Sequence, residues 1–335
     1  MGRGSYQSQD WDRLRSARNI NSQSTVQDLY QSRSMKDHLN PHGVKYRESC
    51  DSMDNPASTA IIFGLDVTGS MGYLSEEIAK GALNRTMLEI YDKTPVTNPH
   101  IMFQAIGDSK SDSAPLQITQ FEADIRIAEQ LLDVYFEGRG GGNGGESYLL
   151  SWYFAARHTK IDCYDKRHEK GFLFTIGDER CHETLSAEEI LRVFGDTPAS
   201  QNTSKVPFVE DIKNLFDSGV NRTSAAGQCT AKELFAEASE KYEIFHIVMK
   251  AGSYKYQKSG EGWRSLIGNR AVELDPEDLD VLPELFVSLM QYARSGDAKT
   301  ITAQWKGKAA DVIKRILDDM GPLSEKDAEK SFLKF

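Results

Sequence analysis

The sequence predicts a doubly wound α/β fold, in which a mostly parallel sheet carries helices on both faces. First, short apolar runs alternate along the chain with segments whose apolar residues recur at helical spacing. Second, several of the apolar runs end at a glycine or an aspartate, which is typical of buried strands that lead into a loop. Strands that alternate with helices form parallel sheets, so a layered α/β domain is expected.

The first half of the predicted domain contains three strands and three helices. An apolar run from Ile61 ends at Asp66, and two further strands cover His100–Ile106 and Leu116–Phe121. The second of these alternates polar and apolar residues as a half-buried strand does, so the pair is expected to form a hairpin with one antiparallel strand at a sheet edge. The predicted helices are Tyr73–Asp92, Ala123–Phe136 and Tyr148–Ala156.

The second half continues the alternation. Predicted strands are Phe172–Ile176, Glu243–Met249 and Ala271–Leu274, and predicted helices are Leu185–Phe194, Phe208–Asp217, Ala231–Lys241, Pro276–Tyr292 and Ile301–Leu317. The polar stretch His158–Lys170 is interpreted as a connection, and Lys250–Arg264 as a basic and aromatic loop. Three segments are therefore predicted: a polar, largely irregular amino-terminal arm over residues 1–57, a domain over 58–295 and a helical extension over 296–335. The arm is interpreted as mostly mobile, and the alternative is that its recurring apolar residues dock on the domain or on a partner.

Composition narrows the class of protein. The 335 residues include 50 acidic and 40 basic ones, a net charge of −10, which argues against general nucleic-acid binding. No apolar run is long enough to cross a bilayer, and no signal peptide opens the chain, so a cytoplasmic location is expected. The four cysteines are widely spaced, which favours free thiols.

Oxygen-bearing side chains follow the first strand at alternate positions. Asp66, Thr68 and Ser70 lie between that strand and the helix after it. At the carboxyl end of a strand in an α/β sheet, where ligands bind, these three side chains can converge on one point. A carboxylate with hydroxyls suits a hard cation such as Mg²⁺. In the alternative interpretation, Thr68 or Ser70 only caps the helix.

The stretch Asp66-Val67-Thr68-Gly69-Ser70 resembles the D-x-[ST]-x-S signature of von Willebrand factor A (VWA) domains, where it forms a metal-ion-dependent adhesion site. The resemblance covers about residues 58–295. The family has a second loop before a buried helix, where Asn143 stands in place of the usual Thr. Glu146 and Ser147 are alternatives to Asn143. A third loop carries an Asp at a strand end, which Asp178 matches.

The resemblance implies a function. Asp66, Thr68, Ser70, Asn143 and Asp178 would hold Mg²⁺, or Mn²⁺ in its place, directly or through water. An Asp or Glu of a partner protein would complete the coordination. The chain would then be a non-enzymatic binding module of an intracellular bacterial or phage type, and relatives of that type often work beside an AAA+ ATPase.

Other functions remain open at this point. Asp66 is also placed to act as the nucleophile of a Mg²⁺-dependent phosphoryl-transfer enzyme, although haloacid-dehalogenase-type phosphatases carry a second Asp where this chain has Thr68. A purely structural role without metal is the third hypothesis. The glycine-rich loop from Gly138 to Ser147 lacks the Lys-Ser/Thr pair of a P-loop, and the Cys and His spacings match no common zinc site. His182 is expected on the rim of the Asp178 site.

Overall fold

A computed structural model of the chain describes residues 4–138, 144–197, 227–252 and 254–323. The strands of these residues are β1 (Arg47–Ser49), β2 (Thr59–Asp66), β3 (Pro99–Ile106), β4 (Leu116–Ile118), β5 (Thr159–Ile161), β6 (Gly171–Gly177), β7 (Thr184–Leu185), β8 (Cys229–Thr230), β9 (Tyr242–Met249) and β10 (Ala271–Leu274). Six of them form the central sheet in the order β10-β9-β6-β2-β3-β4. All neighbours in this sheet are parallel except β4, which pairs antiparallel with β3 at the edge.

Helices cover both faces of this sheet. They are α1 (Ser8–Ala17), α2 (Val26–Leu29), α3 (Gly72–Glu77), α4 (Leu83–Lys93), α5 (Arg126–Leu131), α6 (Leu149–Arg157), α7 (Asp162–Arg167), α8 (Ala187–Phe194), α9 (Ala231–Lys241), α10 (Tyr254–Gln257), α11 (Ser259–Ile267), α12 (Leu282–Ser295), α13 (Ala298–Ala303) and α14 (Lys308–Met320). Helix α4 packs against α12, and α6 packs against α9. The predicted doubly wound α/β fold with an antiparallel edge strand is therefore confirmed.

Strand β2 can lie in the middle of the sheet because its side chains are either apolar or able to form hydrogen bonds within the protein. Ile61, Phe63 and Leu65 point into one core, whereas Ala60 and Ile62 point into the other. The Phe63 ring lies 5.6 Å from the ring of Phe103 on β3 and 5.6 Å from that of Phe174 on β6, centroid to centroid. Burying each such ring stabilises the sheet by about 1.5–3 kcal/mol, so the strand that leads to Asp66 is firmly held.

Two helices differ from their predicted extents. The predicted helix Tyr73–Asp92 is interrupted by a wider π-helical turn at Ile78–Ala82, between α3 and α4. The predicted helix Ala123–Phe136 is much shorter, because the Gln117 side chain bonds both the backbone N–H and the C=O of Tyr135 at 2.8 and 2.7 Å. A contact from β4 thus overrides the helical periodicity of the segment.

The two polar connections also contain regular structure. His158–Lys170 holds β5 and α7, because β5 pairs in parallel with β1 of the arm. Lys250–Arg264 holds α10 and most of α11, where Trp263 stacks on the buried His246 ring with centroids 3.4 Å apart. Neither tertiary contact is visible in the local sequence pattern.

The carboxyl-terminal elements differ in their limits. The predicted helix Pro276–Tyr292 begins as a 3₁₀ helix over Pro276–Val281 and continues as α12. The predicted Ile301–Leu317 helix is two helices, α13 and α14, because Gly307 between them has φ 57° and ψ −140°, which no helix accommodates. The predicted helix Phe208–Asp217 lies outside the described residues.

The amino-terminal arm packs on the domain. Trp11, Leu29 and Tyr30 are buried in the same core as β2, and the Tyr30 hydroxyl donates to the Ser75 carbonyl of α3 at 3.1 Å. The interpretation of a mostly mobile arm is wrong for residues 4–57, because a few well-spaced apolar side chains dock on the helices despite the polar composition. The division at residues 57 and 295 stays a prediction.

Candidate metal centre

The first loop of the centre follows β2. Asp66 is fully buried, and its Oδ1 accepts hydrogen bonds from the backbone N–H of Thr68 at 2.9 Å and from the Thr68 hydroxyl at 2.5 Å. Its Oδ2 accepts a third from the Tyr148 hydroxyl at 2.6 Å. An aspartate that bonds the backbone two residues ahead closes a tight turn, so this loop fixes its own carboxylate.

The first and third loops meet directly. The Ser70 hydroxyl donates to Asp178 Oδ1 at 3.0 Å, although 108 residues separate them. They meet because β6, which leads into Asp178, is the parallel neighbour of β2, so both strands end at the same edge of the sheet. Asp178 is fully buried and Ser70 is exposed, so the centre opens to solvent on the Ser70 side.

Two glycines allow the carboxylates to sit this close to backbone. A Cβ atom at Gly177 would lie 1.8 Å from the Tyr148 hydroxyl oxygen and 2.8 Å from Asp66 Oδ2. A Cβ atom at Gly252, in the loop after β9, would lie 2.0 Å from Asp178 Oδ2. The backbone of that loop therefore forms a wall of the centre.

The second loop is described only at its ends. Asn143 lies outside the described residues, so its role as a ligand stays a prediction. Before it, the Gly138 carbonyl oxygen lies 2.9 Å from the position of a Cβ on Gly69. After it, Glu146 is paired with the third loop, since its N–H donates to the Arg180 carbonyl and its carbonyl accepts from the N–H of His182. Both described ends of the second loop thus contact the other two loops.

Of the two alternatives to Asn143, Glu146 fits better. Its carboxyl group is buried, with the residue only 1% exposed, and Oε2 has no hydrogen-bond partner among the described residues. Ser147 is already engaged, because its hydroxyl donates to Asp108 Oδ1 at 3.2 Å and accepts from the N–H of Ser109. A buried carboxyl oxygen without a donor is costly unless it is protonated or faces a cation.

Two buried carboxyls of the centre, those of Asp66 and Glu146, have raised pKa values. Burial raises the pKa of Asp66 to about 7, with a further increase from the charge of Asp178, and the hydrogen bonds from Thr68 and Tyr148 oppose the shift. Burial, followed by the charges of Asp66 and Glu179, raises the pKa of Glu146 to about 10. No Lys or Arg of the described residues forms an ion pair with Asp66 or Glu146. These carboxyls therefore lack a countercharge that a bound cation would supply.

The donor set fits a hard cation. Every candidate atom is an oxygen, from a carboxylate, a hydroxyl or the Asn143 amide, and hard cations such as Mg²⁺ prefer oxygen ligands. Within the described ranges, no three His, Cys, Asp or Glu side chains are grouped closely enough to hold a metal ion by themselves. The hydroxyls of Thr68 and Ser70, together with water, would have to complete the coordination, as is usual for Mg²⁺.

No protein-family model and no curated protein matches the sequence. Solved structures are similar to the chain, among them two from pilus proteins. The pilus adhesin SpaC from Lactobacillus rhamnosus GG, in its open conformation, has a TM-score of 0.41 at 10% identity over 72% of this chain, which spans only 31% of that chain. The vWF domain of the type V pili tip protein Mfa5 from Porphyromonas gingivalis has a TM-score of 0.41 at 12% identity over 70% of this chain and 95% of that one. Both scores lie below 0.5, so the fold class rests on the strand order of the chain itself.

A second polar cluster adjoins the centre. Asp108 directly follows β3 and is fully buried, and its Oδ1 lies 2.9 Å from His182 Nε2. His182 was expected on the rim of the Asp178 site, but its ring contacts Asp108 and the Lys110 ammonium, at 3.3 Å, instead. The sequence does indicate Asp108 as a candidate polar residue at the sheet edge, because Gly107-Asp108 ends a predicted strand in the same way as Gly177-Asp178.

Two other contributors were missed. Tyr148 was interpreted only as the start of an apolar helix, and nothing in its local sequence marks the hydroxyl as a donor to Asp66. Gly252 was placed in a basic and aromatic loop, with no indication that its backbone lies against Asp178. Both contacts depend on the packing of α6 and of the β9–α10 connection across the sheet edge, which a local pattern cannot show.

Proposed function

We propose that this chain is a VWA-type protein-binding module with a Mg²⁺ site formed by Asp66, Thr68, Ser70 and Asp178, acting directly or through water. The observation that carries the proposal is the Ser70–Asp178 hydrogen bond beside the buried Asp66 carboxyl. It joins two loops that the D-x-[ST]-x-S resemblance assigns to one centre. Mn²⁺, which has similar ligand preferences, would occupy the same site.

Each residue has a defined part in this proposal. Asp66 supplies the central charge, and Thr68 and Tyr148 hold its carboxylate in one orientation. Ser70 faces solvent, so the open coordination position lies on its side. Bound Mg²⁺ would offer that position to an Asp or Glu carboxylate of a partner protein. The second loop would add Asn143, or Glu146 through its unpartnered Oε2.

The proposed setting is intracellular. The free state of all four cysteines agrees with a reducing compartment. In the described part of the chain, no helix has the length and apolar character needed to cross a bilayer. We propose a bacterial or phage module in the cytoplasm that works in a multiprotein assembly, with an AAA+ ATPase as one partner class.

A binding role is preferred to phosphoryl transfer. A nucleophilic aspartate needs a free oxygen aimed at phosphorus and a general acid nearby. Both oxygens of Asp66 already accept hydrogen bonds, and Thr68, which stands where the phosphatases have their second Asp, donates to Asp66. We therefore propose that the module is not an enzyme.

Calorimetric titration with Mg²⁺ and Mn²⁺ tests the metal site. The wild type should bind one ion saturably, and Asp66→Asn/Asp178→Asn should not. A matched control is Asp54→Asn/Asp311→Asn, which removes two charges from exposed positions and should bind as the wild type does. Equal binding by the site variant and the wild type would refute the proposal.

A further inference from the structure

The loop that contains Gly252 forms a wall of the centre, and the chain after it carries exposed basic and aromatic side chains. Gly252 contacts Asp178, and Lys255 and Tyr256 follow in α10, within about 10–14 Å of chain. Lys255 is exposed, and Tyr256 is 91% exposed. Arg180, two residues beyond Asp178, is also exposed, and its backbone N–H donates to the side chain of Gln257 at the end of α10. We call Arg180, Lys255 and Tyr256 the rim.

The rim is held in place by contacts between the third loop and the β9–α11 segment. The N–H of Arg180 donates to the side chain of Gln257 at 3.3 Å. The Arg180 side chain runs along α11, where its Cγ and Nε lie 3.5 Å from the position of a Cβ on Gly262. The indole N–H of Trp263 donates to the Glu179 carbonyl at 2.8 Å. The rim therefore keeps a fixed position relative to Asp178.

The rim contains two cations, Arg180 and Lys255. Among the described residues, no carboxylate lies within ion-pair distance of Arg180 or Lys255, whereas neighbouring cations are engaged. Lys258 pairs with Glu261 at 3.7 Å, and Arg264 pairs with Asp319. The chain as a whole carries a charge of −10, whereas Arg180 and Lys255 place two positive charges beside the centre. Such a patch attracts an acidic partner and disfavours a basic one.

We propose that the partner is an acidic protein segment that places one carboxylate on the metal and at least one neighbouring carboxylate on Arg180 and Lys255, with Tyr256 packing against the segment. This inference rests on the proposed function and specifies the chemistry of its partner. The guanidinium of Arg180 can take a carboxylate in bidentate fashion, and Lys255 adds a point charge. In an extended segment, alternate side chains lie about 7 Å apart on one face. This spacing suits one carboxylate on the metal and the next on the rim, because the rim residues follow Asp178 and Gly252 by only a few positions.

Two labelled peptides test the inference by fluorescence anisotropy in Mg²⁺. One has a single glutamate in a glycine–serine background, and the other has three consecutive glutamates in the same background. The wild type should prefer the second peptide by about fivefold, as expected for one or two exposed charge pairs. Arg180→Gln/Lys255→Gln should lose the preference but keep Mg²⁺-dependent binding of the first peptide. Higher salt should weaken the preference.

The control removes the same charge elsewhere. Lys45→Gln/Lys299→Gln changes two exposed lysines, one before β1 and one in α13 beyond the end of α12, and should leave the fivefold preference intact. An unchanged preference in Arg180→Gln/Lys255→Gln would overturn the inference while the metal site stands. If neither peptide binds although calorimetry shows Mg²⁺ bound, the inference also fails. If Mg²⁺ itself does not bind, the proposed function fails with it.

Nucleic acid is the competing ligand of a basic and aromatic surface. A labelled single-stranded oligothymidylate is the probe, because bases stack on aromatic rings and the backbone follows cations. The inference predicts no binding at concentrations at which the three-glutamate peptide is saturated. Tight oligonucleotide binding that is independent of Mg²⁺ and is lost in Arg180→Gln/Lys255→Gln would overturn it in favour of a nucleic-acid site.

Discussion

The Tyr148 hydroxyl donates to Asp66 Oδ2 at 2.6 Å, so the residue that precedes α6 is tied to the last residue of β2. The same ring makes edge contacts with His246 and Trp263, at 5.0 and 5.2 Å between centroids. One side chain thus connects the candidate metal centre to the aromatic core beneath it. Removal of the Tyr148 hydroxyl alone should therefore affect the centre and leave the packing of the aromatic core intact.

Tyr148→Phe should destabilise the protein mainly where Asp66 is ionised. The change keeps the ring contacts but removes a donor to a buried carboxylate, which costs about 1.5–3 kcal/mol. Urea unfolding in EDTA should show this loss near pH 8 and a smaller one near pH 5, where Asp66 is protonated. The control is Tyr292→Phe, whose hydroxyl donates to the neutral Gly321 carbonyl and whose effect should not vary with pH. An equal loss at both pH values would contradict the prediction.

The stability of the metal-free protein should fall as pH rises from about 5 to 8. Burial raises the pKa of Asp66 from 3.8 to about 7 and that of Glu146 from 4.5 to about 10. The folded protein therefore keeps protons that the unfolded chain releases above pH 4 to 5. Each such group lowers the free energy of unfolding by up to about 1.4 kcal/mol per pH unit, until pH passes its folded pKa.

Mg²⁺ should reverse the fall in stability with rising pH, because it binds the ionised carboxylates and competes with protons for them. Urea unfolding across the pH range, in EDTA and in saturating Mg²⁺, measures both effects. The stabilisation by Mg²⁺ should be larger near pH 8 than near pH 6. The double variant Asp66→Asn/Glu146→Gln should have a flatter pH profile in EDTA. A wild-type profile that is already flat would count against the raised pKa values.

The variant Glu146→Gln distinguishes the effect of Glu146 on folding from its effect on metal binding. At pH 7 the raised pKa of Glu146 keeps its buried carboxyl protonated in the folded metal-free protein, whereas the unfolded chain releases that proton. An amide of the same shape releases no proton on unfolding, so Glu146→Gln should raise the free energy of unfolding at pH 7 in EDTA. If Glu146 is a ligand, the Mg²⁺ affinity measured by calorimetry should fall at least about tenfold. The exposed Glu188→Gln serves as the control. Unchanged affinity would leave Asn143 as the proposed ligand of the second loop.

Trp11→Ala tests the docking of the arm. Trp11 is 2% exposed within the same hydrophobic core as β2, and removing such a side chain costs about 3–5 kcal/mol. Guanidinium unfolding should show that loss, and Met53→Ala, at a fully exposed position of the same arm, should show almost none. A loss below about 1 kcal/mol for Trp11→Ala would mean that the arm adds little to the stability of the domain.

The sequence was informative where the structure is local or follows from sheet topology. The apolar run into Asp66 defines a strand by itself, and the turn that Asp66 and Thr68 close is contained within three residues. The resemblance to VWA domains assigned Asp178 to the same centre as Ser70, and the parallel pairing of β2 with β6 explains why the two residues meet. These residues needed no knowledge of tertiary packing beyond the order of strands and helices.

The remaining features depend on contacts between distant segments. Gln117 determines where the α5 helix ends by bonding Tyr135, and Trp11 fixes an arm whose composition is that of a mobile segment. The burial of Glu146 follows from its pairing with the Arg180 loop. These contacts are tertiary, so neither the periodicity of the sequence nor the type of residue indicates them.

The central position of β2 also determines when the centre can exist during protein synthesis. Ser70 leaves the ribosome 108 residues before Asp178, and β6 must pair beside β2 before their side chains meet. A growing chain that ends short of β6 therefore carries the D-x-[ST]-x-S loop without its binding partner loop. Under the proposed function, a nascent chain that lacks β6 would not bind an acidic partner, so partner binding would show that the middle of the sheet has folded.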